Sequence, residues 1–411
     1  MYFIYEVLGL VVIAFSPFII LYRIIRGKED PKRFLEKYCF YSKKNKSKLT
    51  IWIHGASVGE ILSAIPIIKY FEKNKKIKKI LITSLTRSSS LILSKYNFKK
   101  TIHKYFPIDT NYFTNKFINF WNPKLAIFIE SEVWPNMFKN LYFKKIPILL
   151  LNARLTKKSF YRWKNFPNFS KLIFSKISLA MPQNIETFNF LKILGVKKLK
   201  LNGNLKYYGE KQNKKQNKNL KNKFKNKKIW CAASTHQDEE LFIGKVHSRL
   251  KIKEKNLLTI IIPRHINRVE NIINELNKIG LNTVIHSSNK KISAETDIYL
   301  VDTYGETSNF FELSNLTFLG GSLIPHGGQN PLEPARKGNY ILHGPNIDNF
   351  LEVYSILKNL RISSKIKSVP QMEKMVINKI NFKQPILINK KLFSIGEKVL
   401  KKNLNEIKKY I

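Results

Sequence analysis

Short apolar runs that alternate with helix-like stretches constrain the fold of this chain more than any other feature. They form two series, at residues 51–54, 80–83, 125–129 and 146–150, and then at 229–232, 257–262, 283–285, 298–301, 316–319 and 340–342. Continuous rather than alternating apolar character is typical of parallel strands that are covered on both faces. The pattern therefore predicts an α/β protein with two Rossmann-like, doubly wound domains, which bind ligands at the carboxyl ends of their strands.

The domain boundaries follow from the two series and from what lies between them. The chain has 411 residues, enough for two or three domains of ~100–200 residues each. Residues 211–228 contain nine lysines and almost no apolar side chains, which predicts a solvated linker. We therefore assign an apolar helix to residues 1–26, one domain to 27–210, the linker to 211–228 and a second domain to 229–411. The last helices of that second domain could pack back on the first.

The N-terminal segment predicts association with a membrane. Residues 1–22 are almost entirely apolar, and five basic residues follow between positions 23 and 33. The run is long enough to span a bilayer, and its basic C-terminal flank predicts that the rest of the chain lies in the cytoplasm. Because Glu6 and Pro17 interrupt the apolar run, a helix lying in the membrane interface is an equal alternative.

The net charge of the chain is +45, which favours anionic partners of any kind. Nucleic acid, acidic lipid and phosphorylated substrates all satisfy this requirement. We do not expect nucleic acid, because no recognition motif is present and the predicted strands are buried rather than displayed. The two cysteines, Cys39 and Cys231, are too few and too far apart for a disulfide framework or a zinc site.

A glycine-rich run at residues 320–334 follows the strand at 316–319. Its composition predicts a helix that begins at Asn330, with Pro331 in the first helical position and Glu333 as the acid of a capping box. Four glycines before a helix would let backbone N–H groups approach an anion, which favours a phosphate or nucleotide pocket. An ordinary capped helix is the alternative.

Acidic residues follow two strands of the first series. Glu60 ends the segment 54–60 at the start of a helix, where a partly desolvated carboxylate could accept a proton from an attacking hydroxyl. Its spacing from Ser57 also fits a structural capping box. Glu130 and Glu132 follow residues 125–129, and on an extended chain they would lie on the same side. Arg154, after the next strand, could neutralise them.

The second series ends in residue types that bind phosphate and ribose. Arg264 follows the strand at 257–262, hydroxyl groups occupy the turn at 233–238, and a glycine turn follows Asp302. Lys206, at the end of the first half, could stabilise a leaving phosphate. Acidic residues therefore follow the strands of the first series, and residue types that bind phosphate and ribose follow those of the second. This distribution predicts an acceptor-binding first domain and a donor-binding second domain. The eight histidines show no metal-ligand spacing, so we expect no metal site.

At these residues the chain closely resembles the transferases of 3-deoxy-D-manno-octulosonic acid (Kdo), which act in lipopolysaccharide synthesis and belong to the metal-independent, two-Rossmann (GT-B) glycosyltransferases. The matching segments occur in the order of the family, at residues 54–60, 130–136, 152–155, 203–206, 233–236, 263–265, 305–306 and 320–334. They cover the chain from about 50 to 350. Any one of these segments alone would be weak support, but together they are specific.

The resemblance implies transfer of Kdo from CMP-Kdo to a hydroxyl group of a phosphorylated lipid A precursor, with inversion and without a cofactor. It implies that Glu60 is the general base and that Glu130 and Lys206 stabilise the transition state. The implied contacts with CMP are Pro263, Arg264, Tyr304, Gly305, Glu306, Asn330, Pro331, Leu332 and Glu333. The implied location is the inner membrane of a Gram-negative bacterium, with the catalytic domains on the cytoplasmic side and anionic inner-leaflet lipids as partners.

Three segments depart from the pattern of the family. Gln329 stands where the family usually has histidine, which puts one donor contact in doubt. The segments at 83–88 and 207–208 also differ and could alter how the acceptor is bound. The alternative function is that of another GT-B enzyme, such as a nucleotide-sugar epimerase or a different glycosyltransferase.

Overall fold

A computed structural model describes residues 1–41, 51–208, 218–288 and 290–411. The chain divides into two compact units, one made of residues 1–208 together with 395–411 and the other of residues 209–394. Each unit contains one parallel sheet flanked by helices. The prediction of an α/β protein with two doubly wound sheets is therefore confirmed.

The first unit contains a six-stranded sheet in the order β3-β2-β1-β4-β5-β6. Its strands are β1 (Ile51–His54), β2 (Ile80–Ser84), β3 (Thr101–Tyr105), β4 (Leu125–Ile129), β5 (Ile148–Ala153) and β6 (Leu179–Pro182). Its helices are α1 (Tyr2–Ile25), α2 (Val58–Lys73), α3 (Arg87–Ser94), α4 (Asn111–Trp121), α5 (Pro135–Phe143), α6 (Lys157–Lys164), α7 (Pro167–Phe174) and α8 (Ile185–Ile193). The two edge strands, β3 and β6, were not predicted; β3 is largely polar, and the apolar β6 ends at Pro182.

The second unit contains a seven-stranded sheet in the order β13-β12-β11-β7-β8-β10-β9. Its strands are β7 (Lys228–Thr235), β8 (Leu257–Pro263), β9 (Thr283–Ile285), β10 (Ile298–Leu300), β11 (Leu316–Leu319), β12 (Tyr340–His343) and β13 (Ser363–Lys365). Its helices are α9 (Lys218–Lys223), α10 (Glu239–Lys253), α11 (Val269–Lys278), α12 (Thr307–Leu313), α13 (Leu332–Arg336), α14 (Leu351–Asn359), α15 (Val369–Lys379) and the start of α16 (Ile386–Lys408). The polar strand β13 was not predicted.

The central strands are largely apolar because both faces of each sheet are buried there. In the first unit, Trp52 on β1 has no exposed surface and packs against Phe117 and Phe128, with ring centroids 4.7 and 5.2 Å away. In the second unit, Trp230 on β7 and Phe318 on β11 are likewise fully buried. Burying one such aromatic side chain contributes roughly 1.5–3 kcal/mol, so the central strands anchor both units.

The second unit has other bounds than the residues 229–411 assigned to it from the sequence. Residues 211–217 of the predicted linker lie outside the described part of the chain, but α9 and the buried Phe224 follow directly. At the other end, residues 395–411 group with the first unit. There Gly396 packs against the backbone of Tyr207, an approach that leaves no room for any larger residue.

The strand orders define where ligands can bind. In the first sheet, β1 pairs with β2 on one side and with β4 on the other. In the second sheet, β7 lies between β8 and β11 in the same way. At such switch points the connections leave in opposite directions and open a crevice at the carboxyl ends of the strands. The segments that follow β1, β4, β7 and β11 are therefore the places where functional side chains are expected.

Helix α1 is the one helix in the described residues that is long and apolar enough to cross a membrane. It lies against the first unit through a stripe of polar contacts along its length. Tyr2 bonds to Asn136, the Tyr5 hydroxyl donates to Asp109 at 2.7 Å, and Ser16 bonds to the Tyr38 hydroxyl at 2.6 Å. Most of its other side chains are exposed and apolar.

Candidate active site

Glu60 lies in the first turn of α2, directly beyond the carboxyl end of β1. Ser57 is the N-cap of this helix, and Ser57 and Glu60 form both hydrogen bonds of a capping box. The Glu60 carboxylate accepts from the Ala56 N–H at 2.5 Å and from the Ser57 N–H at 3.3 Å. The capping alternative is therefore correct as a description of the local structure.

The surroundings of Glu60 also suit a base. Burial, followed by the nearby carboxylates of Glu132 and Glu130, raises the pKa of Glu60 to about 7. A carboxylate with this pKa is half deprotonated near neutral pH and binds a proton far more strongly than an ordinary glutamate. The cap orients the carboxyl group, and its environment makes the group basic.

Glu130 and Glu132 do not lie side by side, so the prediction of an extended chain at this point is wrong. Glu130 adopts a left-handed conformation with φ of 59°, and the chain turns there. The Glu130 carboxylate lies 2.6 Å from the Lys206 Nζ atom. Glu132 instead accepts from the Trp134 indole N–H at 2.9 Å and lies 3.2 Å from the His54 Nε2 atom. Left-handed glutamates are uncommon, and such backbone strain often occurs at functional sites.

Lys206 is positioned by a residue whose role the sequence did not reveal. Strand β5 extends to Ala153 and contains a bulge at Asn152, which has a φ of 53°. The Asn152 side chain accepts from the Leu205 N–H at 2.9 Å. The Asn204 side chain accepts from the Lys206 N–H at the same distance. The structure thus brings Glu60, Glu130 and Lys206, the three predicted catalytic residues, together in one unit.

The predicted donor residues lie at the carboxyl edge of the second sheet. Pro263 is the last residue of β8, and Arg264 follows it with an exposed side chain. The backbone N–H of Arg264 donates to the Thr235 carbonyl oxygen at 2.9 Å, which ties the end of β8 to the end of β7. Tyr304 and Gly305, which follow β10, are also exposed. These residues lie where a parallel sheet binds its ligands.

Glu306, another predicted donor residue, is already engaged within the protein. Its carboxylate accepts from the Thr303 hydroxyl at 2.6 Å and lies 2.7 Å from the His286 Nε2 atom. These two contacts hold the carboxylate beside the glycine turn that follows β10.

The glycine-rich loop after β11 holds an anion of its own, which corrects the prediction that its N–H groups are open to phosphate. The carboxylate of Glu239, a fully buried residue in the first turn of α10, accepts from the N–H groups of Gly321, Ser322 and Leu323 at 2.7, 3.1 and 2.9 Å. It also accepts from the His236 N–H at 3.0 Å. Sequence reasoning missed Glu239, because its partners in the loop lie more than 80 positions away.

The helix after this loop begins later than predicted. Helix α13 starts at Leu332 rather than at Asn330, and Pro331 occupies the cap position. The Asn330 side chain accepts from the Leu332 N–H at 3.1 Å, and within the described residues no capping box forms around Glu333. Glu333 is exposed in the first turn. Its carboxylate is therefore not used as a helix cap.

The chain is similar to known proteins over most of its length. Residues 32–208 match the family described as 3-deoxy-D-manno-octulosonic-acid transferase (kdotransferase). A 3-deoxy-D-manno-octulosonic acid transferase of Rickettsia bellii is 34% identical over 363 residues, which are 87% of this chain and 86% of the relative. That of Haemophilus influenzae is 31% identical over 394 residues, which are 94% of this chain and 92% of the relative.

A solved structure shows the same fold at much lower sequence identity. A glycosyltransferase from Rickettsia africae aligns with a TM-score of 0.55 and 14% identity, covering 89% of this chain and 98% of its own. This likeness concerns the fold alone, whereas the similarity to the two transferases extends over most of the sequence. The chain therefore belongs to the 3-deoxy-D-manno-octulosonic acid transferase family and is a glycosyltransferase.

Proposed function

We propose that this protein transfers Kdo from CMP-Kdo to a hydroxyl group of a phosphorylated lipid A precursor, with inversion at the anomeric carbon. The observation that carries the proposal is the group formed by Glu60 and the Lys206–Glu130 ion pair at a switch point of the first sheet. Membership of the transferase family supports the sugar that is transferred.

In the proposed reaction, Glu60 accepts the proton of the acceptor hydroxyl as its oxygen forms a bond to the anomeric carbon. The bond between that carbon and the phosphate oxygen breaks, and its electron pair leaves with CMP. Inversion requires that the hydroxyl attacks from the side opposite the leaving group. The positive charge of Lys206 stabilises the leaving phosphate, and the Glu130 carboxylate, 2.6 Å from the Lys206 Nζ atom, holds the ammonium group in place.

The second unit is the proposed donor-binding part. Exposed Arg264 suits a phosphate, and exposed Tyr304 offers a flat surface for a base or ribose. The Glu333 carboxylate, which is not used in a cap, suits ribose hydroxyl groups. We retain the whole set of proposed contacts with CMP, which comprises Pro263, Arg264, Tyr304, Gly305, Glu306, Asn330, Pro331, Leu332 and Glu333.

The proposed setting is the cytoplasmic surface of the inner membrane of a Gram-negative bacterium. Helix α1 contacts its own unit at Tyr2, Tyr5, Ser16 and other positions along its length, which favours a helix lying along the membrane surface over one that spans it. Its exposed apolar side chains would enter the interface, and the net charge of +45 would attract anionic lipids.

A direct assay tests the reaction. The protein is incubated with CMP-Kdo and a tetra-acylated, bis-phosphorylated lipid A precursor, and the lipid is analysed by mass spectrometry. We expect a mass increase equal to one or more Kdo residues and a matching release of CMP. Release of CMP without any change in the lipid, or turnover of a nucleotide sugar by epimerisation, would contradict the proposal.

Substitutions at Arg264 and Glu333 test the donor contacts. We expect Arg264→Ala and Glu333→Ala each to raise the KM for CMP-Kdo by roughly tenfold or more, since a hydrogen bond to a charged group contributes about 1.5–3 kcal/mol. Arg264→Lys should restore only part of the loss, because lysine keeps the charge but not the bidentate geometry. Lys245→Ala, at an exposed site on α10, is the control for loss of charge alone. Unchanged donor saturation in both alanine variants would remove these residues from the site.

Acidic substitutions on α1 test its contact with the membrane. Phe3 and Phe18 are 75% and 71% exposed, and Phe3→Glu combined with Phe18→Glu should lower binding to anionic vesicles by roughly tenfold or more. Ile252→Glu combined with Ile386→Glu is the matched control, because these side chains are 81% and 75% exposed and the change in charge is the same. Cosedimentation with vesicles measures both pairs. Equal losses in the two pairs would indicate an effect of net charge rather than of α1.

A further inference from the structure

The imidazole of His236 has a buried nitrogen without a partner. His236 follows β7 at the switch point of the second sheet and is only 8% exposed. Its Nδ1 atom lies 3.0 Å from the carbonyl oxygen of Ser234, which can only accept, so Nδ1 carries a proton. The Nε2 atom is buried and has no hydrogen-bond partner among the described residues. Buried polar atoms are rarely left unpaired, so this one points to a ligand.

The groups around this ring are mostly cationic or able to become so. The ring of His326 lies 4.3 Å from that of His236, and the ring of His265 lies 6.0 Å away. Gly321, with a φ of +64°, packs against the first two rings, and a Cβ atom there would lie 3.2 Å from both of them. The Arg264 guanidinium also acts electrostatically on His236.

The carboxylate of Glu239, which lies near His236, does not offset the positive charge of the groups around the ring. The Glu239 carboxylate lies 3.8 Å from the His236 Nδ1 atom, but its oxygens already accept four backbone N–H groups. Burial, followed by His326, His265 and Arg264, lowers the pKa of His236 below its usual range. These surroundings favour the neutral form of the ring, whereas an anion beside Nε2 would favour its protonated form.

A metal ion is the other ligand that histidines commonly bind. Among the described residues, however, no three His, Cys, Asp or Glu side chains are placed to hold one. The neighbouring guanidinium would also repel a cation. The chemistry of the cluster thus favours an oxyanion, which can accept hydrogen bonds from imidazolium and guanidinium groups at the same time.

We infer that His236, with His326 and Arg264 beside it, forms a subsite for an oxyanion of the sugar donor. The inference rests on the proposed function, in which the donor carries two such groups, the phosphate of CMP and the carboxylate of the sugar acid. When the oxyanion binds, His236 takes up a proton from solvent at Nε2 and donates it in a hydrogen bond. Nδ1 keeps its bond to Ser234 throughout.

Two substitutions at His236 separate a binding role from a structural one. The amide nitrogen of asparagine can replace Nδ1, so His236→Asn keeps a donor to Ser234 but loses the group at Nε2. The amide nitrogen of glutamine reaches the Nε2 position instead. We expect His236→Asn to weaken donor binding roughly 10- to 100-fold and His236→Gln to weaken it less. The opposite order would overturn the inference, because it would show that the bond to Ser234 is what matters.

Titration calorimetry with CMP, CMP-Kdo and free Kdo identifies the oxyanion. Weaker binding of CMP by His236→Asn would assign the subsite to the phosphate. Normal binding of CMP with weaker binding of CMP-Kdo and free Kdo would assign it to the carboxylate. Unchanged binding of all three would overturn the subsite alone. If the wild-type protein bound none of them, the proposed function would fail and the subsite with it.

Controls exclude a general loss of structure. Gln237→Ala changes an exposed residue in the same turn and should leave binding unchanged. Thermal unfolding of the two His236 variants should match that of the wild type. Calorimetry at pH 8 in two buffers of different ionisation enthalpy should detect proton uptake on binding, and His236→Gln should reduce it. Equal uptake in wild type and variant would assign the proton to His265 or His326 and contradict the role of His236.

Discussion

Replacement of Glu60 by glutamine is expected to lower turnover roughly 10²- to 10⁴-fold, the usual loss when a general base is removed. Donor binding should stay close to normal, because Glu60 belongs to the first unit and the proposed donor contacts to the second. Glutamine keeps the size of the side chain and an oxygen that can accept from the Ala56 and Ser57 N–H groups. The free energy of unfolding should therefore stay within about 1 kcal/mol of the wild type.

The pH dependence follows from the same environment. Because burial and the carboxylates of Glu132 and Glu130 raise the pKa of Glu60 to about 7, its basic form fills as the pH rises through that value. The rate of wild-type turnover should fall about tenfold per pH unit below it. The residual activity of Glu60→Gln should not show this fall at low pH. The folded protein favours the protonated carboxyl group, so the contribution of Glu60 to stability falls as the pH rises from its ordinary pKa through 7.

Ser57→Ala provides the matched control for the capping role. It removes the hydroxyl that accepts from the Glu60 N–H, and it should cost about 1 kcal/mol of stability with a smaller effect on turnover. The contrast between the two variants is the decisive result. If Glu60→Gln turned over almost normally, Glu60 would be a helix cap only, and the base would have to be Glu130 or Glu132.

Replacement of Glu239 by glutamine is expected to have the largest effect on stability. One oxygen of Glu239 accepts from the Ser322 and Leu323 N–H groups and the other from His236 and Gly321. In glutamine an NH₂ group replaces one of these oxygens and faces two N–H donors, so two buried N–H groups lose their acceptor. We expect a loss of about 2–4 kcal/mol, seen as a fall in the midpoint of thermal unfolding.

The same change should weaken the proposed binding of the donor, because the loop between β11 and α13 would lose its anchor. The KM for CMP-Kdo should rise while the pH profile set by Glu60 stays the same. Asp238→Asn is the control, since Asp238 is the exposed neighbouring acid and asparagine tolerates its left-handed conformation, with φ of 72°. A Glu239→Gln protein as stable as the wild type would mean that other contacts hold the loop.

The sequence by itself determined the fold class and the positions of the main candidate residues. Continuous apolar runs between helical stretches are typical of parallel strands buried on both faces, and side chains that follow such strands meet at one edge of the sheet. The positions of Glu60 after β1, Glu130 after β4 and Arg264 after β8 were predictable for this reason. Edge strands such as β3 and β13 were not, since they are largely polar.

Only the tertiary structure decided how these residues are oriented and which of them are free to act. The left-handed turn at Glu130 separates it from Glu132, and Asn152, at the bulge in β5, holds the segment that places Lys206 beside Glu130. Glu239 occupies N–H groups of a loop that, from its glycines, was predicted to bind phosphate. Such outcomes depend on contacts between residues far apart in the chain, and local patterns do not encode them. The sequence therefore determined where chemistry is possible, and the packing of distant segments decided which groups remain available for it.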